Sequence, residues 1–304
     1  MNIVVAGGTG FIGRAFIRKL LDEGHGVLAL SRRTDAFKNI SHADLQVASW
    51  DGETQGPWAR LLGDKDAVVN LAGEGIADKR WSAERKKQIL LSRVNATRAL
   101  VEALGRCSDR PKVLLNASAV GFYGDVPSGE VAESHPKGQG FLADVCAEWE
   151  KEALKAEAFG TRVVLMRFGV VIGKGGGALQ KFIPPFRFFA GGPLGSGRQY
   201  FPWVHLDDVI GATLYALKNN TLSGPVNVTA PESLTMSQFC RELGSAMHRP
   251  SWAPVPGFVL RALLGEMSGM ILNGQNAVPR KLEQAGYRFQ HPQAGPALAH
   301  LFQR

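Results

Sequence analysis

Gly7, Gly8, Gly10 and Gly13 follow directly on the apolar run Ile3-Val4-Val5-Ala6, and the pattern FIGRAFIRKLLDEG comes next. Glycines let a backbone approach a bulky anion closely. A helix start adds free N–H groups and the positive end of its dipole. A strand, a glycine turn and a helix in that order are what a dinucleotide pyrophosphate requires, although the spacing here is G-x-x-G-x-x-G and not the commoner G-x-G-x-x-G. A second group stands at Ser31-Arg32-Arg33, about 20 residues past the glycines, where an acid would bind a ribose 2′-hydroxyl. No acid lies in Ala29–Arg33, and two arginines do. A guanidinium matches a 2′-phosphate with paired, charge-assisted hydrogen bonds, and its face stacks on adenine. The pattern predicts NADP(H) in preference to NAD(H). Asp51, after the third predicted strand, is placed to meet the adenine amino group.

The elements that must position these groups read as alternating strands and helices. Strands are predicted at Val27–Leu30, Leu45–Ala48, Asp66–Asn70, Val113–Ala117 and Arg162–Arg167. Helical stretches cover Ser82–Leu104, with Ser82 as cap, and Leu142–Phe159. Such alternation implies right-handed crossovers and a parallel sheet covered on both faces. The fold class is therefore α/β, a Rossmann-type doubly wound parallel sheet. Ligands sit beyond the carboxyl ends of its strands, which gathers the loops at Gly7, Ser31, Leu71–Gly75, Ala117–Gly124 and Phe168–Gly177 around one crevice. From about Leu179, Pro and Gly make the chain loop-rich. WVHLDD then leads into a helix, and PVNVT reads as a strand. The division predicted is residues 1–230 for the nucleotide-binding domain and 231–304 for a smaller, mostly helical cap closing the cleft.

With GGTGFIGRA, NLAGEGI, SRVNATRALVEA, ASAVGFYGD, FLADVCAEWE, GGPLGSGRQ, WVHLDD and PVPGFVLRALLGEM in order, the chain resembles atypical extended short-chain dehydrogenases/reductases of the epimerase-like, NAD-dependent epimerase/dehydratase kind. The stretch from about Trp252 looks like the small extra domain of that family. The resemblance implies cofactor roles for Gly7, Thr9, Gly10, Phe11, Ile12, Gly13, Arg32, Arg33, Leu71, Ala72 and Ser118. Ser31, Gly73, Ala117 and Arg167 join them from their places at strand ends. It also implies a possible homodimer through the two long helices.

One departure bears on the chemistry. Hydride-transferring members of that superfamily use Tyr-x-x-x-Lys, where the Tyr moves the proton that accompanies the hydride. Tyr123, Tyr200, Tyr215 and Tyr287 are followed four residues later by Pro127, Val204, Asn219 and His291. Phe141 and Val145 stand where the pair would be, and neither carries a proton. The remaining candidates are Ser118, as a carbonyl-polarising hydroxyl or a turn serine, and Tyr123, as an acid or a core tyrosine. Glu74 is a base beside the nicotinamide or a loop-capping carboxylate. Lys79, Arg80 and Arg198 bind an anionic substrate or are solvated. His205 in WVHLDD reads as structural, with Asp208 tied to backbone.

Bulk properties set the frame. The 304 residues are 45% hydrophobic and 20% charged, enough for a sizeable core. No apolar run spans a membrane, and the start lacks a signal peptide's pattern. Three well-separated cysteines suit neither a disulfide framework nor a zinc site, and no metal is expected. They point to a reducing, cytoplasmic compartment. The net charge of +8 is spread without a basic block, so neither a nucleic acid nor a membrane is expected as partner. Two functions remain. One is an NADP(H)-dependent oxidoreductase or epimerase on a small polar or sugar-like substrate. The other is a non-catalytic NADP(H)-binding sensor or scaffold.

Overall fold

The apolar run after Met1 becomes strand β1, Asn2–Ala6, whose last four residues are fully buried. A computed structural model describes residues 1–303. The strands continue as β2 (Gly26–Ser31), β3 (Leu45–Ser49), β4 (Ala67–Asn70), β5 (Val113–Ala119), β6 (Val126–Val131), β7 (Arg162–Phe168), β8 (Val170–Gly173), β9 (Gly176–Gly177), β10 (Trp203–His205), β11 (Gly224–Val228) and β12 (Gln275–Ala277). The helices are α1 (Phe11–Asp22), α2 (Ala83–Arg106), α3 (Phe141–Leu154), α4 (Leu179–Arg187), α5 (Leu206–Lys218), α6 (Met236–Met247), α7 (Gly257–Leu264), α8 (Gly269–Leu272), α9 (Arg280–Gln284) and α10 (Ala294–Phe302).

The main sheet has seven strands in the order β11-β7-β5-β4-β1-β2-β3. Every pairing in it is parallel. Its Val-, Ile- and Leu-rich strands are buried because helices cover both faces. Successive residues of a strand point to opposite faces. Ile3 and Val5 accordingly pack with Phe16 of α1 and Val209 of α5, while Val4 packs with Leu100 of α2 and Leu114 of β5. β2 and β3 lie to one side of β1, and β4, β5 and β7 to the other. The carboxyl ends of β1 and β4 therefore flank the point where strand order reverses, the usual ligand position in open parallel sheets.

Local signals account for most element boundaries. The Ser82 hydroxyl caps α2 by accepting the Arg85 N–H at 3.1 Å. The second predicted helix is α3 from Phe141 to Leu154, continued as a 3-10 turn to Phe159. The loop-rich reading from Leu179 is corrected: α4 forms there with Pro184 and Pro185 inside it. Its Leu179 and Phe186 are buried with Phe239 and Leu243 of α6, and this packing overrides the poor local propensity.

The C-terminal part is joined to the body at two places. β12 adds to β6 in a separate two-stranded sheet. The buried Asp208 carboxylate of α5 accepts the backbone N–H groups of Gln290 at 2.7 Å and His291 at 2.9 Å. Among the described residues, no helix is long and apolar enough to cross a membrane.

Candidate nucleotide-binding crevice

The glycine loop meets the end of β4 where strand order reverses. Gly7 has φ +78°, and a Cβ there would stand 2.5 Å from the Leu71 carbonyl carbon. A Cβ on Gly13 would stand 2.3 Å from the Gly7 oxygen. These two glycines serve the close packing of loop, helix and neighbouring strand. Gly10 is different. It is exposed, and a Cβ on it would meet only the Gly7 oxygen, at an ordinary 3.4 Å. The chain itself has no steric need for glycine at that position. Gly10 is also the N-cap of α1, which has no side-chain cap and no acid in its first turn. The first N–H groups of a helix lack intrahelical partners, so those of Phe11 and Ile12 are free to receive an anion. Thr9 steadies the loop through its carbonyl, which accepts from Arg14 Nε at 2.9 Å. The Phe11 ring is seated instead on Gly173, Gly176 and Gly177, where a Cβ on Gly176 would approach it to 2.2 Å. Phe11 thus offers a ligand its backbone.

At the end of β2, the Ser31 hydroxyl donates to the Arg33 carbonyl at 3.0 Å and accepts the Arg33 N–H at 3.1 Å. That turn leaves Arg32 and Arg33 exposed. Arg32 reaches across to Glu74 at 3.2 Å, and Glu74 also pairs with Arg85 at 3.5 Å. Glu74, considered as a base, is here the shared counter-ion of two arginines. Asp51 closes its own exposed turn. Its carboxylate accepts from the Thr54 hydroxyl and from the amides of Thr54 and Glu53, and these bonds hold it below the usual carboxylate range. Leu71 donates its N–H to the Ala6 carbonyl at 2.9 Å, and Ala72 donates to Asn70 Oδ1 at 3.1 Å. Gly73 lies against the side chain of Arg93.

Ser118, Tyr123 and Arg167 join one buried hydrogen-bond network, which for Tyr123 is the core alternative. Ser118 is buried and donates to Glu150 Oε1 at 2.6 Å. Arg167 is buried and grips the same carboxylate with Nε at 2.8 Å and Nη2 at 2.7 Å. Its Nη1 donates to the Tyr123 hydroxyl at 2.9 Å, and that hydroxyl donates to Asn227 Oδ1 at 2.7 Å. Tyr123 is 1% exposed, so it does not reach the crevice as an acid, and burial pushes its phenol pKa up. Arg167 is fully occupied inside the protein, away from the cofactor role expected of it. Ala117 is buried in the core cluster below the crevice.

Lys79, Arg80 and Arg198 are exposed, with Arg80 beside Gly265 and the Arg198 N–H on Ser196 Oγ at 3.2 Å. His205 caps α5, its Nδ1 accepting the Asp207 N–H at 3.1 Å, and burial lowers its pKa to about 4. The sequence reading missed Glu150, Lys86 and Arg93. On α2, Lys86, Ile89 and Arg93 recur at helical spacing, and that spacing was the available signal.

Residues 3–229 match the family described as NAD dependent epimerase/dehydratase family. The chain belongs to that family. Residues 255–301 match a domain of unknown function, DUF1731. Among relatives within the epimerase family, a chloroplastic SDR39U1 homolog from Arabidopsis thaliana is 42% identical over all of this chain and 87% of its own length. YfhF of Bacillus subtilis is 40% identical over 99% of this chain and 98% of its own. A crystal structure of human epimerase family protein SDR39U1 with NADPH has 35% identity and a TM-score of 0.89, covering 99% of both chains. UDP-glucuronic acid 4-epimerase from Bacillus cereus, in complex with NAD, shares the fold at 18% identity and a TM-score of 0.79.

Proposed function

We propose that the chain binds NADP(H) in this crevice and acts as an oxidoreductase or epimerase-type redox protein whose proton chemistry does not use a Tyr–Lys pair. The observation that carries the reading is the uncapped start of α1 beside Gly10, where nothing within the chain crowds the glycine and the first helical N–H groups are left for an anion. Gly7, Thr9, Gly10, Phe11, Ile12 and Gly13 would hold the pyrophosphate. Ser31, Arg32 and Arg33 would hold the 2′-phosphate, with Arg32 exchanging Glu74 for it, and Leu71–Gly73 would line the ribose side. The NADPH bound in the human relative supports this choice of cofactor. When bound, the nicotinamide would supply or accept hydride.

The test is thermal unfolding with NADPH, NADH or neither, on the native protein and on Arg32→Ala/Arg33→Ala. A ligand at a hundred times its Kd adds about 2.7 kcal/mol. NADPH should raise the Tm more than NADH does, and the double variant should lose that difference. Equal shifts in both proteins would remove the arginines from the site.

A second reading, cofactor binding without turnover, is favoured by a specific observation: the Ser118 and Tyr123 hydroxyls are both bonded inside the protein. Intact NADPH binding with no NADPH consumption across a broad carbonyl panel would favour it. Cys107, Cys146 and Cys240, all free thiols, support a reducing, cytoplasmic setting. Leu91 on α2 and Leu154 on α3 are exposed, which supports pairing of two copies across those helices.

A further inference from the structure

One cation beside the crevice has no part in the cofactor reading. Arg93 stands on α2 two turns beyond Lys86. Its guanidinium carbon lies 3.1 Å from where a Gly73 Cβ would be, so the missing side chain of Gly73 makes its room. The same guanidinium lies 5.2 Å from the centre of the Trp149 ring, and its Nη1 donates to the Ile89 carbonyl at 3.0 Å. Its neighbours are paired. Glu74 serves Arg32 and Arg85, and Glu266 serves Lys86. Among the described residues, Arg93 has no carboxylate within ion-pair distance. It is partly withdrawn from water, and burial lowers its pKa. Glu74 acts on it only at longer range, and the Arg93 Nε and Nη2 have no hydrogen-bond partner among the described residues, which leaves part of its fork of donors for an anion.

Two aromatic rings lie beside Lys86. Trp81 and Phe141 pack edge to face with centroids 4.9 Å apart, and Lys86 lies over the Phe141 ring. Lys86 and Arg93, two turns apart on α2, thus lie against Phe141 and Trp149 of α3.

We propose that Arg93 anchors the substrate by a carboxylate, with the substrate's apolar body along Trp81 and Phe141. This rests on the NADP(H) reading, which supplies the reaction but not the anion site. Arg93 is here a binding and specificity-determining residue. It moves no proton.

The experiment measures carboxylate binding to the NADPH complex by thermal shift, using acetate, phenylacetate and decanoate, with phenylacetamide as the uncharged control. Phenylacetate or decanoate should stabilise the native protein, while acetate and the amide should do so less. Arg93→Met should weaken carboxylate binding by about tenfold or more and leave the NADPH shift intact. Arg93→Lys, which keeps a charge over Trp149, should weaken it less, and it carries the comparison if the Met variant does not fold. Four results would overturn the proposal: no shift from any acid, equal shifts from acid and amide, an acid shift that survives in Arg93→Met, or loss of NADPH binding in folded Arg93→Met. The same titrations without NADPH separate the two readings. An Arg93-dependent carboxylate shift with no NADPH effect would keep the anion site and remove the cofactor.

Discussion

Tyr123 shows how a residue's type suggests a role that its partners decide. In FYGD it resembles a cleft acid, yet its hydroxyl joins Arg167 to Asn227 in a buried network. Those partners are distant in sequence, as is Glu150 from Ser118, and no local pattern announces them. Tyr123→Phe would leave an Arg167 N–H and the Asn227 oxygen short of a partner. Leaving buried polar groups unpaired costs about 1–3 kcal/mol. The expected outcome is a lower Tm by denaturation with an unchanged Kd for NADPH. A large loss of cofactor affinity in a stable variant would return Tyr123 to the site. The arginines at the end of β2 were legible for the opposite reason: the strand end and the missing acid are both local features. Glu74 as their partner was not, since it comes from the loop after β4.

At the scale of the element, the start of α1 separates two kinds of glycine. Gly13→Ala places a methyl inside the van der Waals radius of Gly7 and Gly8 backbone atoms. Such overpacking costs about 1–3 kcal/mol. Gly10→Ala meets nothing closer than 3.4 Å and should leave the Tm of the unliganded protein nearly unchanged. It should still weaken NADPH binding, by about tenfold if the added methyl forfeits one charge-assisted contact. Unfolding curves with and without NADPH distinguish the two. A Gly10→Ala protein that binds as tightly as the native one would show that no ligand passes so close. The strands and long helices were readable from period and caps because each buries a face defined within its own sequence. α4 was not, because Leu179 and Phe186 gain their partners from α6 and offset two internal prolines.

For the molecule as a whole, the parallel sheet followed from the order of elements. The depth to which the C-terminal region is built into the body did not, since Asp208 and Gln290–His291 meet only after folding. His205 lies at that junction, its ring tilted against that of His291 with centroids 3.8 Å apart. Its pKa falls from 6.5 to about 4 on folding. Below about pH 6.5 the unfolded chain takes up a proton that the folded one refuses. The stability this group contributes is therefore complete above that pH and is lost as pH falls toward 4. The slope is at most about 1.4 kcal/mol per pH unit. Denaturant titrations at pH 7, 6 and 5 should show it, and His205→Asn, which keeps a capping acceptor for α5, should flatten it. An unaltered slope in that variant would assign the acid sensitivity to other groups.

The seat of Phe11 on Gly173, Gly176 and Gly177 has a consequence for how such a chain can change over time. The ring and the three glycines make up one shared volume, although they lie far apart in the sequence. A side chain gained at Gly176 is tolerable only if the ring at position 11 shrinks to match. A larger ring at position 11 has nowhere to go. Positions 11 and 176 are therefore free to change only together, whereas Gly177, with φ +71° and the Val171 oxygen 2.6 Å from its Cβ position, and Gly173, 2.9 Å from Leu206, are held by other neighbours as well. Lineages descending from this chain would carry positions 11 and 176 as a linked pair, although the two lie far apart in the sequence.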